Sequence, residues 1–215
     1  MPMNYTVEFL SIHIPKTGGT SFGLLLKEIF EESILYYYPT LKEQKKDTVQ
    51  IDSKYRCLHG HLVASIYKPK LPNAALVTWI RDPLAMLLSL YNHLNYEYLR
   101  LKNLDELKKF DFTDIFNNGI EFIEFCEIET FKNQILRWVS NHSPDDFIFV
   151  GFLEYIQDSI SRFKQIFKIN KPLDLPHENS KRMGLDNLSK KESDFIKTLN
   201  AEDYNWYDKA ISIHN

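Results

Sequence analysis

Cysteine is scarce in this 215-residue chain. Cys57 and Cys126 are too few to staple a protein of this length, so nothing in the sequence asks for an oxidising compartment, and both read as ordinary reduced thiols. An excess of one charge is lacking too. The 26 Lys and Arg against 29 Asp and Glu give a net charge of -3, which excludes a global positive field that would recruit nucleic acid or an anionic membrane surface. Any anion site must therefore be local. No apolar run reaches membrane-spanning length. The opening residues, MPMNYTVEFLSIHIPKTGG, show no basic segment leading into an apolar stretch of signal-peptide length, so the expectation is a soluble, cytoplasmic protein. What the chain does have is apolar material, 44% hydrophobic and 14% aromatic, enough for one sizeable core. With no repeat and no low-complexity linker, residues 1–215 read as a single domain.

The apolar pattern alternates in kind along the chain. From Tyr5 to Ile14 the residues are β-prone, Pro15 to Gly19 interrupts them, and Thr20 to Phe30 returns apolar positions at helical spacing, giving strand, glycine turn and helix. Thr40 to Lys54 is polar and reads as a solvated loop, and Tyr55 to Leu62 as a second short strand. Ala74 to Arg81 (AALVTWIR) predicts a buried strand. It feeds a helix that is capped by Asp82, begins at Pro83 and runs towards Tyr98. Short helices are expected between 101 and 130, a firmer one over about 128–139, a strand over Phe147 to Phe152 and a helix over Tyr155 to Phe167. A proline-containing loop at 171–180 and helices near 189–199 and 203–213 complete the chain. Strands alternating with helices imply an α/β fold with a parallel sheet flanked by helices.

The first strand-to-helix turn, Pro15, Lys16, Thr17, Gly18, Gly19, Thr20 and Ser21, has the makings of an anion cradle. Glycines let the backbone approach a ligand, a helix N-terminus presents amides, Lys16 adds a full charge, and Thr20 and Ser21 add hydroxyls. A plain tight turn with Thr20 as cap is the bland alternative. In a Walker-type loop the lysine follows the glycines, whereas here it precedes them. The string IHIPKTGGTSF resembles the 5′-phosphosulfate-binding loop of the sulfotransferases, especially those that modify carbohydrates. That resemblance implies a P-loop-like parallel sheet and the cofactor 3′-phosphoadenosine 5′-phosphosulfate (PAPS). It also implies that Lys16, Thr17, Gly18, Gly19, Thr20 and Ser21 hold the 5′-phosphosulfate.

Further segments resemble the same family. In TWIRDPLAMLLSLYNH, Arg81 at the end of a strand and Ser89 in the following helix match the pair that holds the cofactor's 3′-phosphate, a task suited to the planar guanidinium fork. Cys57-Leu58-His59-Gly60-His61-Leu62 resembles the HGH segment of the uronyl and heparan 2-O-sulfotransferases, in which histidine takes the acceptor hydroxyl's proton. His61 is the preferred base, His59 the second choice, and His13, His93 and Glu154 come next. Lys181 and Arg182, in a late loop, are further cofactor-binding candidates. The implied reaction moves a sulfuryl group to a hydroxyl acceptor, a glycan or glycolipid, with nucleic acid excluded as a partner. A sulfuryl group carries less charge than a phosphoryl group, so no metal is expected. Three other readings stay open: a zinc site built on Cys57 and the histidines, a P-loop-like kinase using ATP, and a non-catalytic nucleotide- or glycan-binding module.

Overall fold

Five short strands build the centre of the molecule, in a computed structural model that describes residues 7–46, 51–104, 112–170 and 185–214. In chain order the elements are β1 (Phe9–His13), α1 (Gly19–Phe30), β2 (Ile34–Tyr36), α2 (Leu41–Gln44), β3 (Cys57–Gly60), α3 (Ala64–Tyr67), β4 (Ala75–Ile80), α4 (Pro83–Asn103), α5 (Thr113–Phe116), α6 (Phe122–Glu127), α7 (Gln134–Val139), β5 (Phe147–Phe152), α8 (Ile156–Phe167), α9 (Lys190–Leu199) and α10 (Ala201–His214). The strands form one sheet in the order β2-β3-β1-β4-β5, and every neighbouring pair is parallel. The fold is therefore the expected α/β arrangement.

Successive strand residues point to opposite faces, so each face carries its own core. On β4, Val77 and Trp79 face α1 and α8, where they meet Phe22, Leu26, Phe149 and Phe163. Leu76 and Ile80 face α3, α7 and α10, among Tyr67, Ile135, Trp138 and Trp206. Burial on both faces explains why β4 reads as a continuous apolar run, and each fully buried large side chain contributes about 1.5–3 kcal/mol. A third cluster, Leu84, Leu88, Phe116, Phe125 and Ile196 among others, packs α4, α5, α6 and α9 together.

The order of the strands creates the site. The chain leaves β1 through α1 towards β2 on one side, and leaves β4 towards β5 on the other. Connections diverging from adjacent parallel strands open a crevice at their carboxyl ends. The two segments singled out in the sequence, 15–21 and 81–89, emerge there side by side.

Some elements differ from the sequence expectation. β2 was not anticipated. It is a three-residue edge strand, too short to display a period, and its neighbour Tyr37 prolongs the pairing by donating its N–H to the His59 carbonyl at 2.8 Å. The polar stretch 40–54 includes α2 and a buried Gln44. Helix α4 continues past Tyr98 to Asn103: Tyr98 is buried in the third cluster, and Leu101 is buried as well. The helix expected over 128–139 is broken: a 3-10 turn covers Glu129–Phe131, and α7 starts only after Asn133, whose φ of 46° is left-handed. The break is held from a distance. Asn133 donates its N–H to the Asn200 side chain at 2.9 Å, and Ile135 and Leu136 donate theirs to the Asp203 carboxylate at 2.9 Å each. Two residues of the last helical pair thus cap the first turn of α7. Among the described residues, no helix is long and apolar enough to cross a membrane.

Candidate active site

Between β1 and α1 the backbone makes an unusual turn. Lys16 has φ 67° and Gly18 φ 86°. Glycine accepts such an angle freely, whereas at Lys16 it is a strain of about 1–3 kcal/mol, the kind that folds retain at ligand-binding sites. Gly18 is also the N-cap of α1 and has no side chain to cap it. Phe22 is the first residue to donate within the helix, to the Gly18 carbonyl at 3.0 Å. The amides of Gly19 and Thr20 precede it and belong to the set that a helix start leaves without helical partners. Gly19 has a second reason to lack a side chain: the His13 ring occupies the place a Cβ would take.

The β4–α4 turn is built differently. Asp82 caps α4, its Oδ1 accepting the Ala85 N–H at 2.9 Å. Tyr204 accepts the Leu84 N–H at 3.2 Å and donates its hydroxyl to Asp82 Oδ2 at 3.2 Å. The Asp82 N–H goes to Glu154 at 3.0 Å, and Pro83 has no N–H. The protein itself satisfies this helix start. Arg81 just before it and Ser89 farther along α4 are left to face the crevice.

Both turns line one cavity of about 900 Å³, together with His13, Pro15, Tyr38, His61, Leu90, His93, Leu153 and Ile156. Lys16, Gly18, Gly19, Thr20, Ser21, Arg81, Ser89 and His61, all singled out in the sequence, share this wall. None of its described lining residues is a carboxylate. Lys16, Arg81 and the start of α1 therefore face one space.

Thr17 and His59 are placed otherwise. Thr17 is fully buried, and its hydroxyl donates to the Ile14 carbonyl at 2.8 Å. Its side chain braces the loop, and Thr17 is not among the described residues that line the cavity. His59 is 0% exposed, lies 2.8 Å from Ser11 Oγ through Nδ1, and stacks on His13 at 5.3 Å and 16°. His61 lies in the bend just beyond the end of β3 at Gly60, and both histidines of the HGH segment meet the His13 and Tyr38 rings. His61 packs on His13 at 4.6 Å, Tyr38 at 5.0 Å and Trp138 of α7 at 5.5 Å. Cys57 is buried on the α1 side, and burial pushes its thiol up. Glu154 bridges the Asp82 amide and the Tyr207 hydroxyl. Lys181 and Arg182 lie outside the described residues.

The imidazoles of His13, His59 and His61 are held uncharged. Burial is the main cause for each, and neighbouring positive groups add to it for His13 and His59. His13 falls to about 2 and His59 to about 4, with the Gly19 carbonyl near enough only to oppose the shift. His61 is lowered by burial alone. A neutral, partly exposed His61 on the wall of a cationic cavity is suited to take a proton.

Residues 8–209 match the sulfotransferase domain family. The chain belongs to the sulfotransferase family. No curated protein sequence matches it significantly. Among solved structures, this sulfotransferase is similar to mouse sulfotransferase SULT7A1 complexed with PAP, with TM-score 0.41 and 13% identity over 93% of this chain. The chain spans 65% of the length of that mouse protein. It is also similar to a sulfotransferase from Alicyclobacillus acidocaldarius, with TM-score 0.49 and 12% identity over 97% of this chain and 96% of that one.

Tyr38, Leu90, Leu153 and Ile156 line the sulfotransferase cavity without having been singled out. For Tyr38 the available signal was the run Ile34 to Tyr38, a strand-like segment ending in aromatics before Pro39. The three apolar residues had none, since they read only as helix or strand filling. Among the described residues, no group of three or more His, Cys, Asp or Glu is arranged to hold a metal ion.

Proposed function

We propose that this sulfotransferase moves a sulfuryl group from PAPS to a hydroxyl on a carbohydrate acceptor. The observation that carries the reading is the sharing of one cavity by two separate anion-holding groups, Lys16 with the α1 start and Arg81 with Ser89, and by the His61 imidazole. The donor set fits PAPS, which has anionic groups at both its 5′ and 3′ positions. The uncapped start of α1 and Lys16 suit the 5′-phosphosulfate, and the guanidinium and hydroxyl of Arg81 and Ser89 suit the 3′-phosphate. Leu153 and Ile156 add an apolar wall.

When bound, PAPS supplies the activated sulfuryl group. Lys16 stabilises negative charge as it grows on the leaving phosphate, from a position set before the reaction starts. His61 takes the proton of the attacking hydroxyl, and its neutral state at physiological pH leaves it free to do so. Arg81 and Ser89 hold the far end of the nucleotide, so that binding energy there orients the reacting end. Asp82 is engaged as a helix cap, which counts against the kinase reading, where a strand-end carboxylate would hold a metal.

The test is transfer of labelled sulfate from PAPS to a panel of glycans, glycolipids and phenols, with calorimetric binding of adenosine 3′,5′-bisphosphate measured alongside. Glycans should be labelled, and His61→Ala should lower transfer about 10²- to 10⁴-fold while product binding stays near wild type. Labelling of phenols alone would reject the carbohydrate acceptor. Full activity in His61→Ala would move the base elsewhere.

A further inference from the structure

His13 has no part in that scheme, yet it occupies the centre of the site. It is the last residue of β1 and is 8% exposed. It lines the cavity, its ring packs on the proposed base His61 at 4.6 Å, and its Cδ2–Nε2 edge fills the space above Gly19, the first residue of α1. The ring is also braced from behind, since His59 stacks on it and Ser11 lies 2.8 Å from the His59 ring. A side chain kept this tightly between the anion cradle and the proton acceptor has few positions from which to avoid the reacting group.

The other ring nitrogen shows how His13 meets it. Nδ1 lies 3.3 Å from the Tyr38 hydroxyl, and the Tyr38 ring stands edge-on to His13 at 5.7 Å. Burial raises the Tyr38 pKa, so the phenol keeps its proton. A phenol is the better acid of the two groups, and an imidazole nitrogen is the better acceptor. The favoured bond therefore runs from the Tyr38 O–H to Nδ1. An imidazole that accepts at Nδ1 carries its hydrogen on Nε2, the nitrogen on the cradle side.

We propose that His13 is a catalytic residue whose Nε2–H donates to an oxygen of the transferring sulfuryl group, with Tyr38 as the positioning residue that sets its tautomer. The step needs no proton from His13. The acceptor oxygen bonds to sulfur, the bond from sulfur to the phosphate oxygen breaks, the acceptor's proton passes to His61, and adenosine 3′,5′-bisphosphate leaves. The burial that keeps His13 uncharged makes it a fixed dipole, so it cannot protonate and salt-bridge to the cofactor instead. The inference rests on the proposed function.

Two measurements test it. Two-bond hydrogen–nitrogen correlation on histidine-labelled protein reads the tautomer directly, without cofactor. Wild type should show His13 protonated on Nε2, and Tyr38→Phe should shift it towards Nδ1. Protonation on Nδ1 in wild type would overturn the proposal. Calorimetry then compares PAPS with adenosine 3′,5′-bisphosphate, which lacks the sulfuryl group. His13→Ala should weaken PAPS binding about 10-fold or more, the worth of one hydrogen bond to a charged group, and leave the bisphosphate nearly unchanged. His13→Gln, which keeps an N–H near the position of Nε2, should retain most of the preference. Equal loss for both nucleotides in His13→Gln, or no loss of PAPS binding in His13→Ala, would refute the contact. Wild-type protein that binds neither nucleotide would refute the proposed function itself, and the tautomer result would still stand by its own measurement.

Discussion

The β1–α1 and β4–α4 junctions sit side by side at the same edge of the same sheet, and each turns a buried parallel strand into a helix. At α4 the protein supplies its own cap: Asp82, Tyr204 and Glu154 take up the amides of residues 82, 84 and 85. At α1 the cap position is a left-handed glycine without a side chain, and the residue two before it is a strained lysine. One junction is complete as folded, and the other is the one the proposed cofactor would complete. The difference teaches that a helix start is not a site by virtue of being a helix start. It becomes one when its own cap is withheld, and the self-capped neighbour can then contribute side chains, Arg81 and Ser89, in place of amides.

Lys16→Ala should produce the largest break in this contrast. Turnover is expected to fall about 10²- to 10³-fold, as when one preorganised transition-state donor is removed, with a smaller loss in affinity for adenosine 3′,5′-bisphosphate. A raised Michaelis constant at unchanged turnover would make Lys16 a plain binding group and the two junctions equivalent.

Acid should separate the two regions next. Below pH 6.5 the unfolded chain binds protons on His13 and His59, which the native state refuses until about 2 and about 4. Their contribution is therefore intact above pH 6.5 and declines as pH falls. At pH 5 the loss is about 2 kcal/mol for each, and His61 adds to it. Asp203, raised to about 6 by burial, works the other way and returns about 1 kcal/mol at pH 5. Denaturant unfolding at pH 7.5 and pH 5 should show the net loss of roughly 3 kcal/mol, and His59→Phe should reduce it. A pH-independent midpoint would mean that the histidines are not buried as described.

Arg81→Ala tests the other junction. Wild-type protein should prefer adenosine 3′,5′-bisphosphate over 5′-AMP, and the variant should lose most of that preference, about 10-fold or more, with its fold intact by circular dichroism. Equal affinities already in wild type would remove the 3′-phosphate role. Smallest of all, Asp82→Ala should lower stability by about 1 kcal/mol through the lost cap, read as a shift in the unfolding midpoint. A change in nucleotide affinity larger than the change in stability would show that the α4 start is not as self-contained as its hydrogen bonds indicate.

How much of this was legible in the sequence follows the same division. Lys16 and the glycines follow β1, and Arg81 follows β4 with Ser89 in the helix beyond it, places where local pattern and family resemblance coincide, and Asp82-Pro83 announced its helix. The histidines were harder. Alternation along an extended segment put His59 and His61 on one side, and both meet the His13 and Tyr38 rings, but no local pattern showed that His59 would be fully buried while His61, in the bend beyond Gly60, keeps some exposure. The place of Tyr38 in the cavity follows the three-residue edge strand β2, which is too short to read. Thr17 was a ligand by family resemblance alone, and its hydroxyl is engaged by the Ile14 carbonyl. The break at Asn133 depends on partners 67 and 68 positions away, beyond the reach of any local pattern.

Those distant partners put the site on a timetable. Synthesis runs from the first residue to the last, so the glycine loop, β3 and β4 leave the ribosome well before Asn200 and Asp203 exist. Until those two emerge, the first turn of α7 has no cap, and Trp138, which backs His61, has no settled helix to stand on. The nascent protein should thus acquire its phosphate cradle early and its histidine wall late. A chain arrested before Asn200 should leave the α7 amides open to hydrogen exchange, and their protection in such a chain would show that α7 forms without waiting.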